Sequence, residues 1–159
     1  MTKNTSKLKY TNARLLAIQA VYAQALSGAP WDKIIAQLTA GNLGGRVIDD
    51  TAGAPRYVAI EQADSDLFSN LVAEIQKRPD DLAAIVRSAL DEKFDMNRLD
   101  ALLKIILTVG VAEFYANPQA DMPIVINEYT DIARSFYDGS AVKLVNAVLD
   151  KVGRVLKNN

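Results

Sequence analysis

The segment RLDALLKIILTVGVAEFYAN, residues 98–117, constrains the fold more than any other stretch of the chain. Leu99, Leu102, Leu103, Ile106, Val109, Gly110 and Phe114 recur on the 3.6-residue period of an α-helix. Further hydrophobes carry the apolar surface round most of the circumference, as in a helix buried at the centre of a core. Other elements must therefore pack around it, and the remaining sequence offers mainly helices.

Thr11 or Asn12 reads as the N-cap of a first helix with Leu15, Ile18, Tyr22, Ala25 and Leu26 inward and Gly28 ending it in the left-handed conformation. Pro30 suits the first turn of a short second helix with Trp31, Ile34, Ile35 and Leu38 on one face. Asp64 or Ser65 caps a third, with Leu67, Phe68, Leu71, Val72 and Ile75 inward. Arg78 precedes a proline, so the helix breaks there and restarts at Pro79, with Leu82, Ile85, Val86 and Leu90 on one stripe. Asn97 caps the central helix and Asn117-Pro118 ends it, while Asp121 and Ser140 cap the last two. The final stripe is Leu144, Val145, Val148, Leu149, Val152 and Leu156.

The stretch AGNLGGRVIDDTAGAPR, residues 40–56, has four glycines, a proline and no period, and reads as a long surface loop. No run of alternating hydrophobicity competes with the helices. The expectation is all-α: about seven helices in two packed helical sub-bundles, residues 1–78 and 79–159, making one domain over 1–159.

The chain contains neither histidine nor cysteine. That removes the commonest general base, the thiolate nucleophile, the usual zinc ligands and any disulfide. No glycine-rich phosphate loop occurs, because Gly41, Gly44 and Gly45 lack the spacing and the preceding strand. The carboxylate pairs Asp49-Asp50, Asp80-Asp81 and Asp91-Glu92 diverge around a helix and more simply complement helix dipoles. The expectation is a non-enzyme without catalytic residues, metal or cofactor. No apolar run approaches a membrane span, and the polar N-terminus has no secretory core, so the cytoplasm is the expected compartment.

Charge is uneven. Residues 1–31 hold Lys3, Lys7, Lys9 and Arg14 and no acid; residues 134–159 hold five basic residues against Asp138 and Asp150. The middle carries 9 basic and 17 acidic residues, a net of −8. Basic ends around an acidic centre point to a polyanion at the termini and a cationic partner elsewhere.

In PIVINEYTDIARSF, residues 123–136, Val125, Tyr129, Ile132, Ala133 and Phe136 form an apolar face. Asn127 is expected to be buried, its amide tying this helix to a neighbouring backbone. Together with ARLLAIQAVYAQ (13–24), RLDALLKIILTVGVAEFY (98–115) and the continuation DGSAVKLVNAVLDKV, this segment resembles the NusB family. The ordered INE, A-x-S-F and K-x-V-N-x-VLDK elements carry most of the resemblance, which covers the chain apart from residues 40–63.

The resemblance implies an all-α double bundle and a transcription antitermination role. It implies binding to boxA-like single-stranded RNA of ribosomal RNA leaders, together with the small-subunit ribosomal protein NusE, within an antitermination complex on RNA polymerase. It implies RNA contacts from the basic arm (Lys3, Lys7, Lys9, Arg14), from Tyr22, and from Ser140 and Lys143 at the last helix. Lys104 and Glu113 of the central helix are the implied partner contacts. Tyr22 also lies on the apolar stripe, so a stacking ring and a buried ring with an exposed hydroxyl both stay open. The chain departs from the family pattern in its dispersed lysine arm and at Thr108, Ser140, Leu144 and Ala147. Those departures keep alive an alternative, a helical interaction module or homodimer with weak RNA affinity.

Overall fold

A computed structural model describes residues 2–40, 46–49, 56–59, 63–91, 94 and 98–157, with side chains at 7–40, 63–91, 94 and 98–157. The body is all-α: among the described residues there are seven α-helices, joined by one two-stranded ribbon. The chain divides into two compact units, Met1–Ser69 and Asn70–Asn159. The division falls inside a helix, ahead of the Arg78-Pro79 break at which the sequence suggests it.

In the first unit, α1 (Thr2–Ser27) packs against α2 (Trp31–Thr39). The first helix begins well before the expected caps Thr11 and Asn12. Residues 2–10 contain no proline or glycine, so once the buried turns are fixed the helix propagates into them. Thr11 consequently lies inside the helix, its hydroxyl donating back to the Lys7 carbonyl at 3.2 Å. Gly28 ends α1 as expected, with φ +67° and its N–H donating to the Gln24 carbonyl at 2.8 Å. Pro30 stands one position earlier than expected, as the N-cap residue of α2, whose inward side chain Ile34 is buried.

The expected loop at 40–56 is partly regular. Strands β1 (Arg46–Asp49) and β2 (Arg56–Ala59) pair antiparallel, with Arg46 opposite Ala59 and Asp49 opposite Arg56. Their Val, Ile and Tyr residues favour strands, but four-residue pieces are too short for a period to show against flanking glycines. Residues 41–45 and 50–55 lie outside the described residues, as does Asn97. Asp64 caps α3 (Ser65–Lys77), its carboxylate accepting from the Leu67 N–H at 2.9 Å.

In the second unit, α5 (Ala101–Ala116), α6 (Met122–Arg134) and α7 (Gly139–Lys157) pack on one another, and α4 (Pro79–Ala89) lies against α5 and α7. The central helix is buried almost throughout, from Leu103 to Phe114. Two glycines set the closeness of this packing. A Cβ on Gly110 would lie 2.9 and 3.0 Å from the Leu149 methyls and 3.4 Å from Tyr129 Cγ. A Cβ on Gly153 would lie 2.6 Å from Met122 Sδ and 3.0 Å from Phe114 Cζ.

Polar groups inside the helices are paired. The Tyr129 hydroxyl donates to Glu113 Oε1 at 2.8 Å, and the Asn117 amide donates to Glu113 Oε2 at 3.2 Å. The Arg78 guanidinium sits 4.1 Å over the Tyr115 ring and bonds Glu74 at 2.8 Å. Lys157 donates to the Pro118 and Ala120 carbonyls, fastening the end of α7 to the α5–α6 turn.

Asn127 is exposed and Glu128 beside it is buried, so the expected tie through the Asn127 amide is not made. At 100° per residue the phase that turns Val125, Tyr129 and Ile132 inward carries Asn127 outward. Phe136 is 51% exposed, because α6 ends at Arg134 and the chain leaves the helical phase before the ring. Asp100 occupies the N-cap position of α5 and accepts a hydrogen bond from the Tyr137 hydroxyl.

The last helix is capped by Asp138, where the sequence pointed to Ser140. The Asp138 carboxylate accepts from the Ser140 hydroxyl at 2.8 Å and from its backbone N–H at 3.2 Å. Those two bonds, the hydroxyl first, lower the Asp138 pKa from its ordinary value. A depressed folded-state pKa contributes stability above the ordinary aspartate value, and that contribution is lost as pH falls through the lowered one. Asp138→Ala is therefore expected to lower the melting temperature at neutral pH, with Asp138→Asn largely conserving the cap. In thermal melts followed by circular dichroism, the gap between wild type and Asp138→Ala should narrow at pH values below the carboxylate range.

Candidate nucleic-acid interface

Within the first unit, the turn Lys7–Tyr10 is exposed at all four positions, with Tyr10 44% exposed beside the lysines. Lysines alternating with an exposed ring supply both charge for a phosphate chain and a face on which a base can stack. Further along α1, Tyr22 is 39% exposed, so part of its side chain reaches solvent. Lys3 lies in α1, but its side chain is outside the described residues.

Arg14 departs from expectation. It is 4% exposed, and its side chain is engaged within the protein. The reason lies in helical phase: Arg14 shares a stripe with Ala17 and Ile18, both buried. As placed, its guanidinium is not a surface donor for phosphate, which leaves the arm's exposed charge to lysines.

Within the second unit, the exposed face of α7 carries Lys143, Asn146, Lys151 and Arg154, opposite the buried Leu144, Val145, Val148 and Leu149. Ser140 is exposed at the head of this helix, but its N–H and hydroxyl both point to Asp138. A free helix N-terminus attracts anions; here the chain's own carboxylate already fills that place. Lys143, one turn on, is the exposed cation at this end.

The two residues expected on a partner surface fare differently. Lys104 is half-buried, while Glu113 is fully buried with its carboxylate held by Tyr129 and Asn117. Glu113 is thus a structural link between α5 and α6. A lone acid on the most apolar helix is the sequence signal for such a link, since charged residues are rarely buried without partners. Tyr10 and Asp138 also escaped the sequence reading; the run KLKY and the acid two residues before Ser140 were their signals.

Among the described residues no three side chains gather as metal ligands, and no helix is long and apolar enough to cross a membrane. The class these features define is an all-α protein that presents lysine-bearing helix faces to solvent. The chain belongs to the NusB family, whose model matches residues 11–154. It is 33% identical over 145 residues to a transcription antitermination protein NusB from Agrobacterium fabrum, covering 91% of this chain and 83% of that protein. It is 30% identical over 162 residues to the protein of the same name from Rhizobium meliloti, covering 99% of this chain and 96% of the relative. A solved structure of T. maritima NusB matches with a TM-score of 0.67 at 17% identity, covering 91% of this chain and 89% of that one. At that identity the likeness speaks to the fold alone, and its fold is the one described here. The relatives are named as antitermination proteins, not as enzymes.

Proposed function

We propose that this protein is a transcription antitermination factor that binds boxA-like single-stranded RNA of ribosomal RNA leaders. In this reading it acts with the ribosomal protein NusE in an antitermination complex on RNA polymerase. Family membership supports the role, and the observation that carries the RNA reading is the exposed Lys7–Tyr10 turn together with exposed Lys143. The contacts we assign are Lys7, Lys9 and Lys143 to phosphates, Tyr10 and Tyr22 to bases, and Lys3 as a further cation of the arm. Ser140 offers an exposed hydroxyl next to Lys143. Lys104 is retained as a partner contact, and Arg14 and Glu113 act from within the fold.

With lysines where bidentate arginine forks would discriminate, affinity should depend on charge more than on base identity. Selectivity is then expected to rest on stacking and on NusE. In fluorescence anisotropy with a labelled boxA strand, NusE should tighten binding and widen the gap between boxA and a scrambled strand. Equal affinity for both strands with NusE present would instead favour a protein-interaction module with incidental RNA affinity.

A further inference from the structure

The turn from α6 into α7 carries a side chain that neither the core nor the contacts assigned above employ. Phe136 is 51% exposed, and among the described residues it is the one large hydrophobe exposed between Val125 and Arg154. Its chain neighbours are polar: Arg134 is bonded to Asp131, and Ser135, Asp138 and Ser140 are all exposed. The turn itself is fixed. The N–H groups of Phe136 and Tyr137 both donate to the Ala133 carbonyl, at 3.0 and 2.9 Å. The Tyr137 hydroxyl donates to the Asp100 carboxylate at the head of α5, and Asp138 accepts from Ser140 at the head of α7. A protein-docking patch needs contiguous apolar surface, which is missing around this ring. A lone ring among polar groups suits a flat aromatic ligand, and exposed Lys143, one turn into α7, selects an anionic one.

We propose that Phe136 is a base-stacking residue for single-stranded RNA and that Tyr137, through Asp100, is the residue that positions it. This rests on the RNA reading given above, to which it adds a third ring and the first at the α7 end. Every base has a π face, so the ring adds affinity without demanding a particular base. The fixed turn lowers the ordering cost of binding, because the backbone beneath the ring is already set. Phe136 carries no charge, so its share of the affinity does not vary with salt as that of Lys143 does.

The test titrates a labelled boxA strand with the whole chain, by fluorescence anisotropy, at several salt concentrations. Phe136→Ala should weaken binding at least about fivefold, the lower bound for one stacked base, with the wild-type salt slope kept. Phe136→Trp should bind no more weakly than wild type. Phe136→Leu keeps the apolar bulk and loses the π face, so it should resemble alanine; a loss there is not a folding defect. Tyr137→Phe removes the hydroxyl alone and should weaken binding about two- to fivefold. In the Phe136→Ala background it should have no further effect, because it acts through the ring. Wild-type affinity in Phe136→Ala, with a salt slope that still answers to the lysines, overturns the proposal and leaves the RNA reading standing. Additive losses from Tyr137→Phe and Phe136→Ala overturn the positioning role. Intact boxA affinity with NusE capture lost would give the ring to a protein and overturn the stacking role. A wild-type chain that does not bind the strand at all would remove the RNA reading and the proposal together.

Discussion

Truncating Tyr129 to alanine is expected to destabilise the protein by about 3–5 kcal/mol, the range for removing a large buried ring. The ring is fully buried, lies against the backbone of α5 at Gly110, and anchors its hydroxyl on Glu113. Alanine would remove the packing and the hydrogen bond to Glu113 at once. Tyr129→Phe isolates the second effect, expected at about 1–3 kcal/mol, because the ring stays and only the hydrogen bond goes. Urea unfolding followed by far-ultraviolet circular dichroism reads both. A loss under about 1 kcal/mol for the alanine variant would mean that α6 is not packed on α5 as described.

Gly110→Leu tests the same packing from the other side, and here two effects oppose. Leucine is the better helix former, worth about 1 kcal/mol in a helix interior. A Cβ alone, however, would already press to 2.9 Å on Leu149, which is itself fully buried, and leucine adds a branched side chain beyond it. Overpacking of that kind costs about 1–3 kcal/mol and sometimes more. Steric crowding should win: the upper end of that range, less the helix gain, leaves an expected net loss of roughly 2 kcal/mol. Gly110→Ala should sit close to wild type, since its tight contacts are the movable ends of one leucine and Tyr129 Cγ at 3.4 Å is at ordinary contact distance. A stabilised Gly110→Leu variant would show that α5 and α7 lie farther apart than they do here.

How much of this was legible before the structure follows from the physics of each feature. The 3.6-residue period reports burial directly, so the inward faces of α3, α5, α6 and α7 could be read from Leu71, Ile106, Tyr129 and Val148. Gly28 and Pro79 were legible because their backbone chemistry restricts what a chain can do. Caps were less so. Asp138 and Ser140 are both good capping residues, and the choice depends on which leaves helical dihedrals first. The burial of Glu113 depends on a hydroxyl supplied sixteen residues later, which no local pattern announces. At the candidate interface, the exposed lysines were legible from charge, whereas Arg14 required weighing its charge against its place on a buried stripe. Its carbon stem lets an arginine follow apolar neighbours inward, and here packing prevailed.

The claim on which the functional account turns is that lysines of α1 and α7 neutralise RNA phosphates. Each phosphate neutralised on a single strand contributes about −0.7 to the slope of log affinity against log salt. Contacts at Lys7, Lys9 and Lys143, with Lys3 as a further cation, therefore predict a slope of about −2 to −3 for a boxA strand bound by the wild-type chain. Replacing Lys7, Lys9 and Lys143 with glutamine should flatten that slope to about −0.7, the share left to Lys3, while the melting temperature holds, because those three side chains are exposed. A triple variant that keeps the wild-type slope would contradict the account: the phosphates would then be held elsewhere on the protein.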